Sequence, residues 1–148
     1  MRTIIYDKNA AVIDSDNPFP VTFGTDIQDS DGNLLTSSAQ TTISTTITGG
    51  QSQSSEIDLE SYGVVAIMMP AVFGATSITF LASATSGGTF YPVYDSAGNE
   101  LAATVTGSHI ITDLPELAPL RYIKIRSGTE ATPLAVSSTT GLTLIVKS

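Results

Sequence analysis

The clearest strand pattern in this sequence is LRYIKIRS, residues 120–127. Ile123 and Ile125 alternate there with polar or aromatic residues, and successive side chains of a β-strand point to opposite faces. We therefore predict a strand that turns Ile123 and Ile125 towards a hydrophobic core. Its other face, which includes Lys124 and Arg126, is predicted to point outwards.

Similar short strands are predicted on both sides of this one. Residues 77–83 alternate in the same way, whereas residues 64–69 are apolar on both faces, which is typical of a central strand covered from both sides. The best helical candidate is a single turn at residues 113–117, which Asp113 can cap. Further strands are predicted at residues 56–60, 89–94, 100–106, 108–112, 133–137 and 142–147.

The strand pattern and the composition predict the same fold class. Ser and Thr make up 39 of the 148 residues, and β-branched residues such as Thr favour strands. Turns recur roughly every 8–12 residues, and no long helical segment could supply the crossovers of a parallel sheet. We predict an all-β protein with an antiparallel β-sandwich, jelly-roll-like, of about eight strands.

The charge and the residue inventory exclude several classes of function. The net charge is -8 with only six Lys and Arg residues, whereas binding to nucleic acid requires clustered basic side chains. Without cysteine there can be no disulfide and no zinc–thiolate site. The longest apolar run, residues 63–75, is shorter than the roughly 20 residues of a membrane-spanning helix. We predict no nucleic acid partner and no membrane association.

The chain divides into two unequal parts at a Gly/Ser/Gln stretch. Residues 48–55, TGGQSQSS, have the composition of a flexible linker, although a long surface loop within one domain is the alternative. Before it, residues 41–48 are a possible strand with few large side chains to bury. We predict residues 1–50 to be an extended N-terminal arm with this linker, and residues 51–148 to be the β-sandwich domain.

No combination of residues indicates catalysis or a cofactor. His109 is the single histidine and lies in a predicted strand, so neither a histidine metal pair nor a paired catalytic base exists. Glu56, Asp58 and Glu60 alternate on one strand face, about 7 Å apart, and favour a solvated surface over an acid pair or a cation site. The Asp29–Asn33 turn begins like an EF-hand loop, but the Gly and the Glu required later in such a loop are missing. We predict that the protein is not an enzyme and binds no cofactor or metal.

Two groups of residues are candidates for binding a partner protein. Pro18 and Pro20 flank Phe19 and force a stiff, extended backbone suited to docking. The second group is the only basic cluster, which could meet an acidic surface such as residues 56–60 of a neighbouring copy, although an ordinary exposed strand face also explains it. The members of this basic cluster are Arg121, Lys124 and Arg126.

An aromatic cluster suggests an alternative function. Phe90, Tyr91 and Tyr94 lie close together in the sequence, and exposed tyrosines can stack on sugar rings. Alternation places Phe90 and Tyr94 on one face and Tyr91 on the other, so some of these rings belong to the core. Carbohydrate binding therefore stays open.

Five segments follow one another in the second part of the chain: SEIDL (55–59), VVAIMMP (64–70), TSITFLAS (76–83), TFYPVYDSAGNE (89–100) and LRYIKIRSGT (120–129). Together they cover residues 54–148 and resemble a module that recurs in virion proteins of tailed bacteriophages. The segment SDNPFPV at residues 15–21 is similar to the start of phage structural proteins. The resemblance implies a structural virion component, in particular a capsid decoration (cement) protein that assembles as a homo-oligomer, often a trimer. It carries no catalytic motif.

On this resemblance we expect a protein that binds the major capsid lattice through its N-terminal arm and stabilises the head. Its location would be the virion, after assembly in the host cytoplasm. The alternative is a tail- or fibre-associated carbohydrate-binding module. A generic surface adhesion module is disfavoured because no secretion signal is visible, and an enzyme is least expected.

Overall fold

The computed structural model describes residues 40–148, and this part of the chain consists mainly of strands and turns. Its single helical element is a 3-10 turn at Pro115–Leu117. The nine strands of this part are β1 (Gln40–Ile47), β2 (Ile57–Asp58), β3 (Gly63–Met69), β4 (Ser77–Ser83), β5 (Tyr91–Pro92), β6 (Ala102–Thr104), β7 (His109–Thr112), β8 (Tyr122–Ser127) and β9 (Thr140–Lys147).

The strands form two antiparallel sheets. Sheet 1 has the order β1-β9-β3-β7, and sheet 2 has the order β2-β8-β4-β5, with β6 also paired to β4. The pairs are nested along the chain, because β1 pairs with β9, β2 with β8, β3 with β7, and β4 with β5 and β6. This nested order across two sheets is that of a jelly roll. The prediction of an all-β, jelly-roll-like antiparallel sandwich is confirmed.

The strands β5 and β6 share one strand position. β5 pairs with β4 at Leu81 and Ala82, whereas β6 pairs with it from Ser77 to Thr79. The turn between them is closed by a bridge between Tyr94 and Glu100. The two pieces are therefore one interrupted strand, which reconciles the nine observed strands with the prediction of about eight.

The core lies between the two sheets and is built mainly from aliphatic side chains. Ile123 and Ile125 of β8 are fully buried, as the alternation predicted, and Phe80 of β4 is buried beside them. Ile67 of β3 and Leu144 of β9 contribute to the same core from sheet 1. Burial of each such side chain stabilises the fold by about 1.5–3 kcal/mol.

The strand β1 belongs to this sandwich. It pairs with β9 along its whole length, and Ile47 is fully buried in the core. The loop that follows is tied to the same domain, because the Gly50 N–H donates to the Val136 carbonyl at 2.8 Å. Residues 40–50 are therefore part of the sandwich, and not of an arm with a flexible linker. The rest of the predicted arm, residues 1–39, lies outside the described residues.

The strand β3 lies inside sheet 1, but one of its faces is open to solvent. Val65 and Met68 are 38% and 45% exposed, whereas Ile67 is fully buried. The register with β9 shifts between Val64 and Ala66, which marks a β-bulge at Val65. The prediction that both faces of this strand are covered is wrong, because an apolar run does not reveal whether a second layer covers it.

Two smaller predictions also differ from the structure. The 3-10 turn lies where the helical candidate was predicted, but its N-cap is Leu114 and no side chain caps it. Asp113 instead has a left-handed backbone conformation, with φ 65°. The segment from residue 133 to 137 is not a strand, and Pro133 forms only an isolated bridge with Gly128. Proline lacks the N–H group that a paired strand requires.

Candidate functional site

Arg121, the first predicted basic residue, lies immediately before β8 and is exposed. Its Nε donates to Asp58 Oδ1 at 2.9 Å and its Nη2 donates to Oδ2 at 3.2 Å, a bidentate arrangement. The guanidinium carbon also lies 5.0 Å from the centroid of the Tyr122 ring. The hydrogen bond from Arg121 lowers the pKa of Asp58. An acidic partner would therefore have to compete with Asp58 of the same chain for this side chain.

Lys124, the second predicted basic residue, lies on the outer face of sheet 2. Its Nζ is 4.5 Å from the centroid of the Phe90 ring, which is the geometry of a cation–π contact. Both residues are half-buried. Phe90 is therefore covered by this side chain, and it is not free as a stacking platform.

Arg126, the third predicted basic residue, has a side chain that is only 6% exposed. It points to the outer face of sheet 2, as the alternation requires, but it forms an ion pair there with Glu100 from the turn between β5 and β6. Its Nε donates to Thr79 Oγ1 at 3.0 Å. Arg126 therefore does not present its charge to a partner, and the three basic residues do not form one exposed cluster.

This ion pair belongs to a network that connects two loops. Glu100 also accepts hydrogen bonds from the backbone N–H of Glu130, at 3.0 and 3.1 Å. The Glu130 carboxylate accepts a 2.6 Å hydrogen bond from the Tyr94 hydroxyl, which raises the pKa of Tyr94. Beneath them, the Thr79 hydroxyl donates to the Gly128 carbonyl at 2.9 Å. These contacts fix the loop after β8 and the β5–β6 turn against sheet 2.

The acidic residues that were predicted to share one strand face are held separately. Glu56 accepts hydrogen bonds from the Ser86 hydroxyl at 2.7 Å and the Gly87 N–H at 2.8 Å, and these bonds lower its pKa. Asp58 is bound by the guanidinium described above. Glu60 has a left-handed backbone, with φ 53°, because the short β2 has already ended. The paired strand therefore ends at Asp58, earlier than predicted, but the predicted in–out pattern continues, because Leu59 is fully buried and Glu60 is exposed.

Two tyrosines of the predicted aromatic cluster are exposed. Tyr91 is 67% exposed and Tyr94 is 49% exposed. The hydrogen bond to Glu130 fixes the orientation of the Tyr94 ring. An exposed aromatic ring of fixed orientation can receive the apolar face of a sugar.

His109 is the first residue of β7 and is half-buried. Its Nδ1 and Nε2 lie 2.7 and 3.2 Å from the carbonyl oxygens of Gly107 and Thr104, so backbone groups face both ring nitrogens. Within residues 40–148, no group of three or more His, Cys, Asp or Glu residues could hold a metal ion. The same part of the chain contains no helix long and apolar enough to cross a membrane.

Two predicted features cannot be placed in the fold. The turn at residues 29–33, and the docking segment formed by Pro18, Phe19 and Pro20, lie outside the described residues. Of the predicted partner-binding residues, Arg121 is exposed, Lys124 is half-buried, and Arg126 is buried on the outer face of sheet 2 by its contact with Glu100. The docking segment stays a prediction.

The centre of the outer face of sheet 1 is uncharged and partly apolar, and it is not among the sites predicted from the sequence. Met68 and Ile110 are direct cross-strand neighbours and are 45% and 53% exposed. The face consists of two cross-strand rows, Ser44–Thr143–Met68–Ile110 and Thr42–Ile145–Ala66–Thr112. We refer to these eight residues as the sheet 1 face. The signal was present in the alternation of β7, where Ile110 and Ile111 necessarily point to opposite sides.

Comparison with known proteins gives no identification. No family model, no curated protein and no solved structure matches this chain. The resemblance to phage virion proteins therefore stays a prediction from the sequence segments quoted above.

Proposed function

We propose that the chain is a structural virion component of the capsid decoration (cement) type, which binds the major capsid lattice and stabilises the head. The nested strand order carries this proposal, because double-sheet jelly rolls recur in viral capsid proteins. The resemblance of residues 54–148 to phage virion modules supports it. Since one fold hosts many functions, the fold alone would not select this role.

The surface of the sandwich supports a role in assembly. On sheet 2, Arg126, Glu100, Glu130 and Tyr94 bind one another and hold their loops in place. On sheet 1, the centre of the outer face offers an uncharged surface for contact. A module whose loops are already ordered loses less conformational entropy on binding, so more of its buried area contributes to affinity.

The N-terminal arm is the second part of the proposal. In this proposal, the arm at residues 1–39 contacts the capsid lattice through a segment that includes Pro18, Phe19 and Pro20. The sandwich projects from the lattice or packs against neighbouring copies. Standard interfaces bury about 1,200–2,000 Å², and an ordered arm of this length would supply much of that area. Because β1 begins at Gln40, the proposed arm ends at residue 39 and not at residue 50.

Quantitative mass spectrometry of purified virus particles tests this function. Particles produced from the genome that encodes the chain are purified repeatedly, and the chain is measured against the major capsid protein. A ratio that stays constant through successive purification steps supports the proposal. Absence from the particles, or a ratio that falls at every step, contradicts it. Cryo-electron microscopy of the same particles then distinguishes head, neck and tail.

A carbohydrate-binding module of a tail or fibre is the second candidate. The observation that favours it is the exposure of Tyr91 and Tyr94, 67% and 49%, together with the fixed orientation of the Tyr94 ring. Tyr91→Ala and Tyr94→Ala should weaken saturable binding to a glycan. Leu134→Ala, which truncates an apolar side chain with an exposure of 45%, close to that of Tyr94, should not. A glycan array without a reproducible hit removes this candidate.

A further inference from the structure

We infer that the sheet 1 face is the surface through which two copies of this chain contact each other. The strands of sheet 1 contain no Asp or Glu, although the whole chain has a net charge of -8. Their only ionisable residues, Lys147 and His109, lie at strand ends. The centre of this face is therefore free of charge in an acidic protein.

The face also exposes large apolar side chains. Seven large hydrophobic residues are exposed in the part of the chain that the structure describes, and two of them, Met68 and Ile110, belong to the sheet 1 face. Met68 and Ile110 are paired across β3 and β7, so they form one strip and not isolated positions. Adjacent exposed apolar residues of this kind mark interaction surfaces more often than scattered ones do.

A second copy of the chain fits this face because of the distribution of charge. Two acidic copies repel each other wherever their carboxylates meet, and this repulsion is avoided when both present an uncharged face. An isologous contact uses the same patch on both copies, so an uncharged patch is complementary to itself. Residues 40–148 contain eight carboxylates, and none lies on a strand of sheet 1. Five lie on the strands, turns and loops of sheet 2, namely Glu56, Asp58, Asp95, Glu100 and Glu130, and three lie in the loops that connect the two sheets, namely Glu60, Asp113 and Glu116.

The size of the face sets the expected strength of the contact. Four strands about 4.8 Å apart and about seven residues long, at 3.3 Å per residue, give a face of roughly 14 by 23 Å. This is smaller than the roughly 800 Å² per partner of a standard interface. We therefore expect a reversible dimer that forms as the protein concentration rises. A face-to-face contact between identical patches produces a dimer, whereas the phage resemblance implies a trimer. The inference therefore does not rest on the proposed virion role.

Sedimentation equilibrium of the full chain over a range of concentrations tests this contact. The unmodified chain should fit a monomer–dimer equilibrium. Met68→Lys should weaken the dimer by roughly tenfold or more, because it places an unpaired charge in the middle of the contact. Lysine is the informative replacement, since it reduces the net negative charge and would strengthen any non-specific association of acidic copies.

Leu134→Lys is the matched control. Leu134 has the same 45% exposure as Met68 but lies in the loop after β8, outside the sheet 1 face, so the dimer should be unaffected. Circular dichroism checks that each variant is folded, and Ile110→Thr provides a second, milder change on the face. A chain that is monomeric at every concentration, or trimeric, overturns the inference. The inference is also overturned if Leu134→Lys weakens the dimer as much as Met68→Lys does. It is likewise overturned if both Met68→Lys and Ile110→Thr leave the dimer unchanged.

Discussion

Replacing Glu100 by glutamine should destabilise the sandwich, because it removes the only carboxylate that forms an ion pair with the buried Arg126 in the described residues. The side chains of Arg126 and Glu100 are 6% and 17% exposed, so solvent does little to compensate an isolated charge there. Loss of one partner from a buried ion pair costs about 3–5 kcal/mol. Because Glu100 keeps some exposure, we expect about 3 kcal/mol, the lower end of that range.

The chain has no tryptophan, so circular dichroism is the appropriate probe of unfolding. A loss of about 3 kcal/mol corresponds to a fall of roughly 10–20 °C in the Tm of a domain of this size. The matched control is Asp58→Asn, which breaks the exposed ion pair with Arg121. The side chains of Asp58 and Arg121 are 41% and 55% exposed. That variant should shift the Tm far less, because water screens both charges.

A double variant separates charge from packing. Glu100→Gln combined with Arg126→Met leaves no buried charge, so it should recover most of the stability that Glu100→Gln loses. If the double variant is no more stable than Glu100→Gln, the loss comes from broken contacts and not from an uncompensated charge. If Glu100→Gln is no more harmful than Asp58→Asn, the argument from burial is refuted.

Three further predictions follow from the loops, the first strand and the surface charges. In urea denaturation, Gly128→Ala should lower the free energy of unfolding much more than Gly98→Ala does. Both glycines have positive φ, 82° and 83°, but a Cβ at Gly128 would lie 2.4 Å from a backbone oxygen, whereas at Gly98 nothing lies within 4 Å. Deletion of residues 1–39 should preserve cooperative thermal unfolding, whereas deletion of residues 1–50 should abolish it, because the longer deletion removes β1. The pKa of Asp58 is lowered in the folded state, so its ionised carboxylate stabilises the fold at pH values above the ordinary pKa of 3.8. This contribution is lost as the pH falls through the lowered pKa. Asp58→Asn should therefore flatten the acid side of the Tm–pH profile.

Each of these predictions has a clear contrary result. Equal losses for the two glycine variants would mean that backbone conformation alone, and not the close contact, sets the cost. A cooperative transition after deletion of residues 1–50 would mean that β1 is dispensable. An unchanged acid profile for Asp58→Asn would mean that its hydrogen bonds do not contribute to folding.

The strands with strong alternation could be predicted from the sequence. A strand with one buried face repeats every two residues, and Ile123 and Ile125 satisfy this pattern clearly. β1 was assigned to the arm, because it is rich in small Thr side chains. Its place in the fold is set by pairing with β9, for example Ile43 opposite Leu144, and such distant pairing leaves no local signal.

The candidate site could be predicted less well. Alternation correctly placed Arg126 on the outer face of β8, but it could not show that Glu100, 26 residues earlier, folds back to cover it. Arg121 was correctly read as exposed, yet its partner Asp58 is 63 residues away in the sequence. Which polar residues stay free therefore depends on loop positions, and these are set by the tertiary fold.

The position of β9 inside sheet 1 also constrains when the domain can fold. β9 lies between β1 and β3, although it is the last strand made in the described part of the chain. During translation, β1 and β3 cannot pair with β9, their common neighbour, until Lys147 has left the ribosome. Sheet 1 must therefore form after synthesis of β9, and such long-range pairing folds slowly. In that interval the apolar strands are exposed to aggregation, so a nascent chain of this kind gains from chaperone protection.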